Sequence, residues 1–186
     1  MDVESGVWEG ILYYDETSPT FLRWRVSPAR HIKAGSGAGH INKISGYIEL
    51  RYKGKLYKGR RIVLTLFGYD VTDDLDVDHI DGIKTNNNIS NLRLVSREIN
   101  MRNRGITSAN KTGVVGVQYD GHRNRYIATW YPLGSKVAKR KYFHVGAHGE
   151  EAFNLACSFR RKIMEQLIAD GAGYTNRHLQ LNEDKL

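Results

Sequence analysis

The sequence is nearly free of cysteine. A single thiol, Cys157, among 186 residues excludes an intramolecular disulfide and a zinc ribbon built on several cysteines. It falls in a helical pattern and reads as a small buried apolar residue. Long hydrophobic runs are also missing. The longest apolar-rich stretch, Ile62 to Phe67, is far shorter than the ~20 residues a bilayer-spanning helix needs. The N-terminal MDVESGVWEG has no basic segment followed by an apolar core, so no secretory signal is read there and a soluble, cytoplasmic protein is expected. No internal repeat is visible. The length suits one ordinary domain or two small ones. Apolar residues make up 40% of the chain, enough for real cores, although a domain of ~60 residues alone is marginally stable.

Positive charge is abundant. The net charge of +8 points to a polyanionic partner, nucleic acid or an acidic membrane surface. Its distribution says more. Residues 1–70 hold eleven Lys/Arg against seven Asp/Glu, residues 101–170 twelve against five, and residues 71–100 reverse the balance with three against six. Basic arms around an acidic centre suit a nuclease, whose arms hold phosphates and whose centre holds a metal. The bland alternative is two solvated basic surfaces and an acidic loop.

Along the chain, residues 7–14 (VWEGILYY) and 20–26 (TFLRWRV) read as strands. The glycine- and serine-rich stretch 27–45 reads as a loop, with Lys33, His40 and Lys43 able to lie along a DNA backbone. GYIELRYKGKLY (46–57) predicts a β-hairpin turning at Lys53-Gly54-Lys55. Periodicity leaves Arg60–Phe67 open between a short helix and a buried strand. The helix is favoured, packing Ile62, Val63 and Leu66, with Gly68 closing it. Val77–Ile80 and Leu92–Val95 predict paired strands around a polar turn. A helix follows, with Ser96 as N-cap, Glu98 in its first turn and Asn100 one turn in. The expected organisation is α+β: a nuclease domain over 1–104 with a strand-rich lead-in, a basic linker over 105–113, a DNA-binding module over 114–170 and a frayed tail over 171–186.

The stretch DVDHIDGIKTNNNISNLRLVSREINMRNR, 76–104, carries the chemistry. Phosphodiester cleavage needs an activated water and something to neutralise charge on the leaving oxygen. Asp78 offers a carboxylate and Asn100 an amide oxygen, a sparse oxygen shell that suits Mg²⁺ or Mn²⁺. His79 is the expected general base, because an imidazole of ordinary pKa ~6.5 is largely neutral near pH 7. Asn91 is expected to hold it, through side chain or backbone. Asp81 is left between bracing the turn, standing behind the metal ligands, and neither.

VDHIDG…NNNISNLRLVS…N resembles the HNH homing-endonuclease motif, a ββα-metal nuclease fold common in phage and intron-encoded enzymes. The resemblance implies metal ligation by Asp78 and Asn100, general base catalysis by His79, and orientation of His79 by Asn91. The preceding YYDETSPTFLRWR…GYIELRYKGKLYKGRRIV resembles the lead-in of such enzymes. Relatives often carry a His-Arg pair where this chain has Arg60-Arg61; these two and Lys58 are expected phosphate contacts.

Beyond the linker, VVGVQY, RYIATWY and KRKYFHV read as three strands, followed by an amphipathic helix from Glu150 to Ala169. Tyr126, Ala128 and Trp130 share the parity assigned to the core. Arg125, Thr129 and Tyr131 face the other way, with Gln118, Arg140, Tyr142 and His144 from the flanking strands. Such a sheet can lie in the major groove, where Arg and Gln reach base edges. The pattern TGVVGVQY…RYIATWY…KRKYFHVG…EEAF resembles the Apetala-type (ethylene-response-factor) DNA-binding domain, with the family's first-strand arginines reduced here to Gln118.

The expectation is a metal-dependent, site-specific endonuclease of the homing type, acting on double-stranded DNA as a monomer and nicking one strand, without a membrane partner or a small-molecule cofactor. In a phage context it would act in the infected host cell. The alternatives are a DNA-binding protein with a decayed nuclease site and a non-specific defence or toxin nuclease.

Overall fold

A computed structural model describes residues 5–107 and 109–179. The architecture is α+β, built on small antiparallel sheets. The chain divides into two compact units, Met1–Arg97 and Glu98–Leu186.

The first unit opens with a helix, α1 (Ser5–Ile11), leading into β1 (Leu12–Tyr14), which pairs with β2 (Leu22–Trp24). The strand expected from residue 7 is thus helical over its first half. Trp8, Ile11 and Leu12 are buried while Val7 is exposed, and a spacing of three and four residues is the period of a helix face. Trp8 meets the Tyr57 ring edge-on at 4.9 Å. A short β3 (His40–Ile41) pairs with β4 (Ile48–Tyr52), and β4 pairs with β5 (Lys55–Lys58). The β4–β5 turn is made by Lys53 and Gly54, both with positive φ (46° and 78°), the twist that a two-residue hairpin requires.

Next comes α2 (Gly59–Leu66), the helix favoured over a strand. Its start is pressed close to β4: a Cβ on Gly59 would lie 2.7 Å from Ile48 Cγ2. Its end is closed by Gly68 at φ 79°, with the Tyr69 amide donating back to Leu64 O at 3.1 Å. Ile62, Val63 and Leu64 enter a core with Leu12, Leu22 and Leu50. Full burial of each such side chain stabilises by about 1.5–3 kcal/mol. Leu66 packs at the margin of this cluster. Over that core sits the hairpin of β6 (Leu75–His79) and β7 (Leu92–Ser96), with Asp78 opposite Arg93 and His79 opposite Leu92. The polar loop between them ends in a 3₁₀ turn, Ile89–Asn91.

The second unit takes in almost all of α3 (Arg97–Arg102). It continues through β8 (Val117–Asp120), β9 (Arg125–Trp130) and β10 (Lys139–His144), in the order β10-β9-β8. A single helical turn, α4 (Val145–His148), leads to the long α5 (Glu151–Ala169). Ala152 and Ala156 let α5 approach Ala128 and Phe143 closely. Part of the expected frayed tail is packed instead: Ala172 and Tyr174 join Met164 and Leu167 in a further cluster, and a 3₁₀ turn spans Asn176–Leu179. Asn103 anchors it, its Oδ1 accepting from Thr175 Oγ1 at 2.7 Å and lying 3.1 Å from His178 Nε2. The remainder, 180–186, lies outside the described residues.

Candidate active site

The β6–β7 hairpin places Asp78 and His79 at the mouth of the polar loop, both buried. At 5% exposure, the His79 imidazole needs partners, and two are present. Its Nε2 lies 3.0 Å from Asn87 Oδ1, and its ring stacks on Tyr47 at 6.0 Å between centroids. With the Asn87 amide oxygen turned to the ring, the contact is made by the tautomer protonated at Nε2, which leaves Nδ1 as the basic nitrogen. Burial lowers the His79 pKa below its ordinary 6.5, and the charge of Arg60 pushes the same way, against the Asn87 bond, Asp81 and Asp78. The imidazole is therefore neutral at pH 7, as a general base must be.

Asn91, expected to orient His79, is bonded to the loop instead of the imidazole. Its Nδ2 donates to Asp81 Oδ1 (2.9 Å) and Asn86 O (2.8 Å), and its Oδ1 accepts from the Asp81 amide (3.0 Å). Its carbonyl accepts from the Ile80 amide at 2.9 Å, one residue past the base. Direct contact with the imidazole belongs to Asn87, which sequence reasoning did not single out. The only signal was its place in the Asn86-Asn87-Asn88 run. Asp81 braces the turn, accepting from the Ile83 amide (2.7 Å) and Asn86 Nδ2 (2.7 Å). Asn88 ties the loop to the lead-in through Glu16 Oε1 at 3.2 Å.

Asp78 Oδ2 accepts from Arg93 Nε (3.0 Å) and Nη2 (2.9 Å), the residue opposite it in register. A carboxylate has about four lone-pair sites over its two oxygens, so a cation can share Asp78 with Arg93. No group of three or more His, Cys, Asp and Glu side chains converges among the described residues. Asn100, the other expected ligand, is half-buried on α3, in the second unit.

Of the expected phosphate contacts, Arg60 lies at this site. Its guanidinium sits 4.1 Å over the Tyr47 ring, and Lys84 approaches the same ring at 4.9 Å. Burial lowers the Arg60 pKa, and Tyr47, Asp76 and Asp78 push it back up. Arg61, also an expected phosphate contact, is engaged within the unit. Its guanidinium donates to the carbonyls of Leu75 (3.2 Å), Val71 (2.9 Å) and Thr72 (3.0 Å), tying α2 to the segment that enters β6. Lys58 is exposed at the end of β5.

In the second unit, register places Gln118, Ile127 and Tyr142 in one row across the sheet and Asp120, Arg125 and His144 in the next. Gln118, Arg140, Tyr142 and His144 are exposed and Thr129 is half-buried. Arg125 faces the expected way but is engaged. It pairs with Asp120 Oδ2 at 3.1 Å and stacks 4.1 Å from the Tyr142 ring centroid. Tyr131 lies just past β9, its amide donating to Tyr174 Oη at 3.2 Å and its side chain exposed.

Among the described residues no helix is long and apolar enough to cross a membrane. No curated protein and no solved structure matches the chain. Two family models do, that of the HNH endonuclease over residues 52–102 and that of the AP2 domain over residues 112–166. The first match takes in Arg60, Asp78, His79, Asn87, Asn91 and Asn100, and the second all three strands of the sheet. Residues 52–102 thus match an HNH endonuclease, which points to a nuclease, and residues 112–166 match an AP2 domain, which points to DNA binding.

Proposed function

We propose that the protein is a divalent-metal-dependent DNA endonuclease of the homing type, which nicks one strand at a site chosen largely by the sheet of the second unit. The observation that carries this reading is the buried His79 imidazole, held through Nε2 by Asn87 at 3.0 Å, beside Asp78 in the chain. Asp78 and Asn100 are the oxygen ligands of the proposed Mg²⁺ or Mn²⁺. When bound, such an ion neutralises charge on the phosphate and the departing oxygen.

His79 Nδ1 takes a proton from a water aligned with the scissile bond. The water oxygen bonds to phosphorus as the bond from phosphorus to the departing sugar oxygen breaks. Asn87 fixes which nitrogen is basic, and the Asp81–Asn91 lock fixes the loop that carries Asn87. Arg60, supported on Tyr47, offers its guanidinium to the phosphate, a charge-assisted contact. Gln118, Thr129, Arg140, Tyr142, His144 and Tyr131 are the proposed DNA contacts of the second unit, with Arg125 holding Tyr142 in place. The domain limits proposed above, 1–104 and 114–170, keep α3 with the nuclease. A sheet suits the wide major groove of B-form DNA better than the deep, narrow groove of A-form RNA. One ββα site in a monomer handles one strand, so the product is a nick.

The test is cleavage of supercoiled plasmid and of a genomic fragment library with Mg²⁺, with Mn²⁺ and with EDTA. Nicked circles and discrete fragments that require the metal support the reading. Tight binding without cleavage under every condition would make the protein a DNA-binding protein with an inactive nuclease site.

A further inference from the structure

The core-facing stripe of α5 consists of Ala152, Ala156, Arg160, Met164 and Leu167. Four of these suit their position and one does not. Arg160 is 4% exposed, and among the described residues no group hydrogen-bonds its Nε or Nη1. A buried donor left unsatisfied costs about 1–3 kcal/mol, more when it is charged. Arginine on that stripe is therefore unfavourable unless something else meets it.

The surroundings make room for the guanidinium rather than expel it. It lies against Gly116, where any Cβ would overlap Nε, and Gly116 also has φ 79°. Its Cζ stands 5.7 Å from the Tyr174 ring centroid. Burial lowers its pKa to about 10, which leaves it a cation at neutral pH. Arg160 also lines a cavity of about 540 Å³, whose wall includes Arg161, Lys162, Ser158, Asn154, Glu165 and His178. Three cations against one carboxylate make the wall positive, and the hydroxyl and amide add neutral donors. Arginine presents a planar fork that matches tetrahedral oxyanions.

We propose that Arg160 and this cavity form an oxyanion site that takes a phosphate group, separate from the outward face of the sheet. The site is on the helix side of the second unit, and neither the nuclease chemistry nor base reading uses it. Its phosphate comes either from a DNA backbone or from free inorganic phosphate. The two share one chemistry and differ in what they report.

Thermal unfolding of the full chain in phosphate and in chloride at matched ionic strength is the first arm, read for wild type and for Arg160→Met. Wild type is expected to unfold several degrees higher in phosphate. Arg160→Met is expected to unfold in chloride at or above the wild-type temperature, because it removes an unpaired buried charge, and to lose the phosphate increment. Circular dichroism establishes that the variant is folded. If it is not, Arg160→Lys, which keeps the charge and loses Nε, carries the same comparison with a reduced increment. The second arm is the salt dependence of DNA affinity. A slope lowered by about one in the variant assigns the site to a backbone phosphate. An unchanged slope with the increment lost assigns it to free phosphate. A phosphate increment that survives in the variant, or the absence of both effects, overturns the proposal and leaves a water-filled cavity.

Discussion

At the residue scale, neighbouring amides of identical chemistry have different tasks. Asn86 clamps Asp81, Asn87 meets the His79 imidazole, Asn88 caps a 3₁₀ turn and reaches Glu16, and Asn91 locks the loop. Replacing Asn87 with Ala frees the imidazole to take either tautomer. The turnover rate is expected to fall about 10–100-fold, by analogy with partners standing behind catalytic ligands, while KM stays near wild type in steady-state nicking kinetics. Asp81 gives a pH signature. Burial raises its pKa, but bonds from Asn86, the Ile83 amide and Asn91 outweigh this and hold it below 3.8. Such a carboxyl contributes stability that is complete above its unfolded value and is lost as pH falls through the folded one. Asp81→Asn is therefore expected to lower the urea midpoint at pH 7 and to flatten the acid limb below roughly pH 4. The pairing of Asp78 and His79 at the end of a strand before a glycine turn was legible in the sequence, because the apolar-polar run and Asp81-Gly82 mark where that strand stops. Asn87 was not, because only the path of the loop decides which of three consecutive amides faces the ring.

At the element scale, most of the β-hairpins and α5 were legible, since turn residues and a sustained period of 3.6 mark them. The helix α1 was not. It is seven residues long, too short for periodicity to outweigh its aromatic and β-branched content, and its burial against Tyr57 decides the matter. The segment 171–179 was illegible for a related reason: it holds few apolar residues and is ordered by Asn103 and by Tyr174 packing. Arg61 shows how an element borrows a charge. Arg61→Met is expected to destabilise by about 1–3 kcal/mol in chemical unfolding and to leave the salt dependence of DNA binding alone. Arg140→Ala on the exposed edge of β10 is expected to do the reverse, lowering the salt slope by about one with no change in unfolding midpoint.

At the scale of the whole molecule, twenty-eight Lys/Arg against twenty Asp/Glu favour encounter with a polyanion such as DNA. With six or so phosphate contacts, affinity is expected to fall ~10³-fold between 50 and 200 mM salt, measurable by fluorescence anisotropy on one duplex. The order of nuclease before reader was legible because each segment carries its own motif. The boundary of the first unit was not, since it falls at Arg97, inside the helix expected to belong wholly to the nuclease domain. The most direct test of the central claim is to compare wild type with His79→Ala for nicking in Mg²⁺ and, on the same preparations, for DNA affinity. Nicking abolished with affinity retained is the predicted result. Nicking that survives in His79→Ala would contradict the assignment of the base.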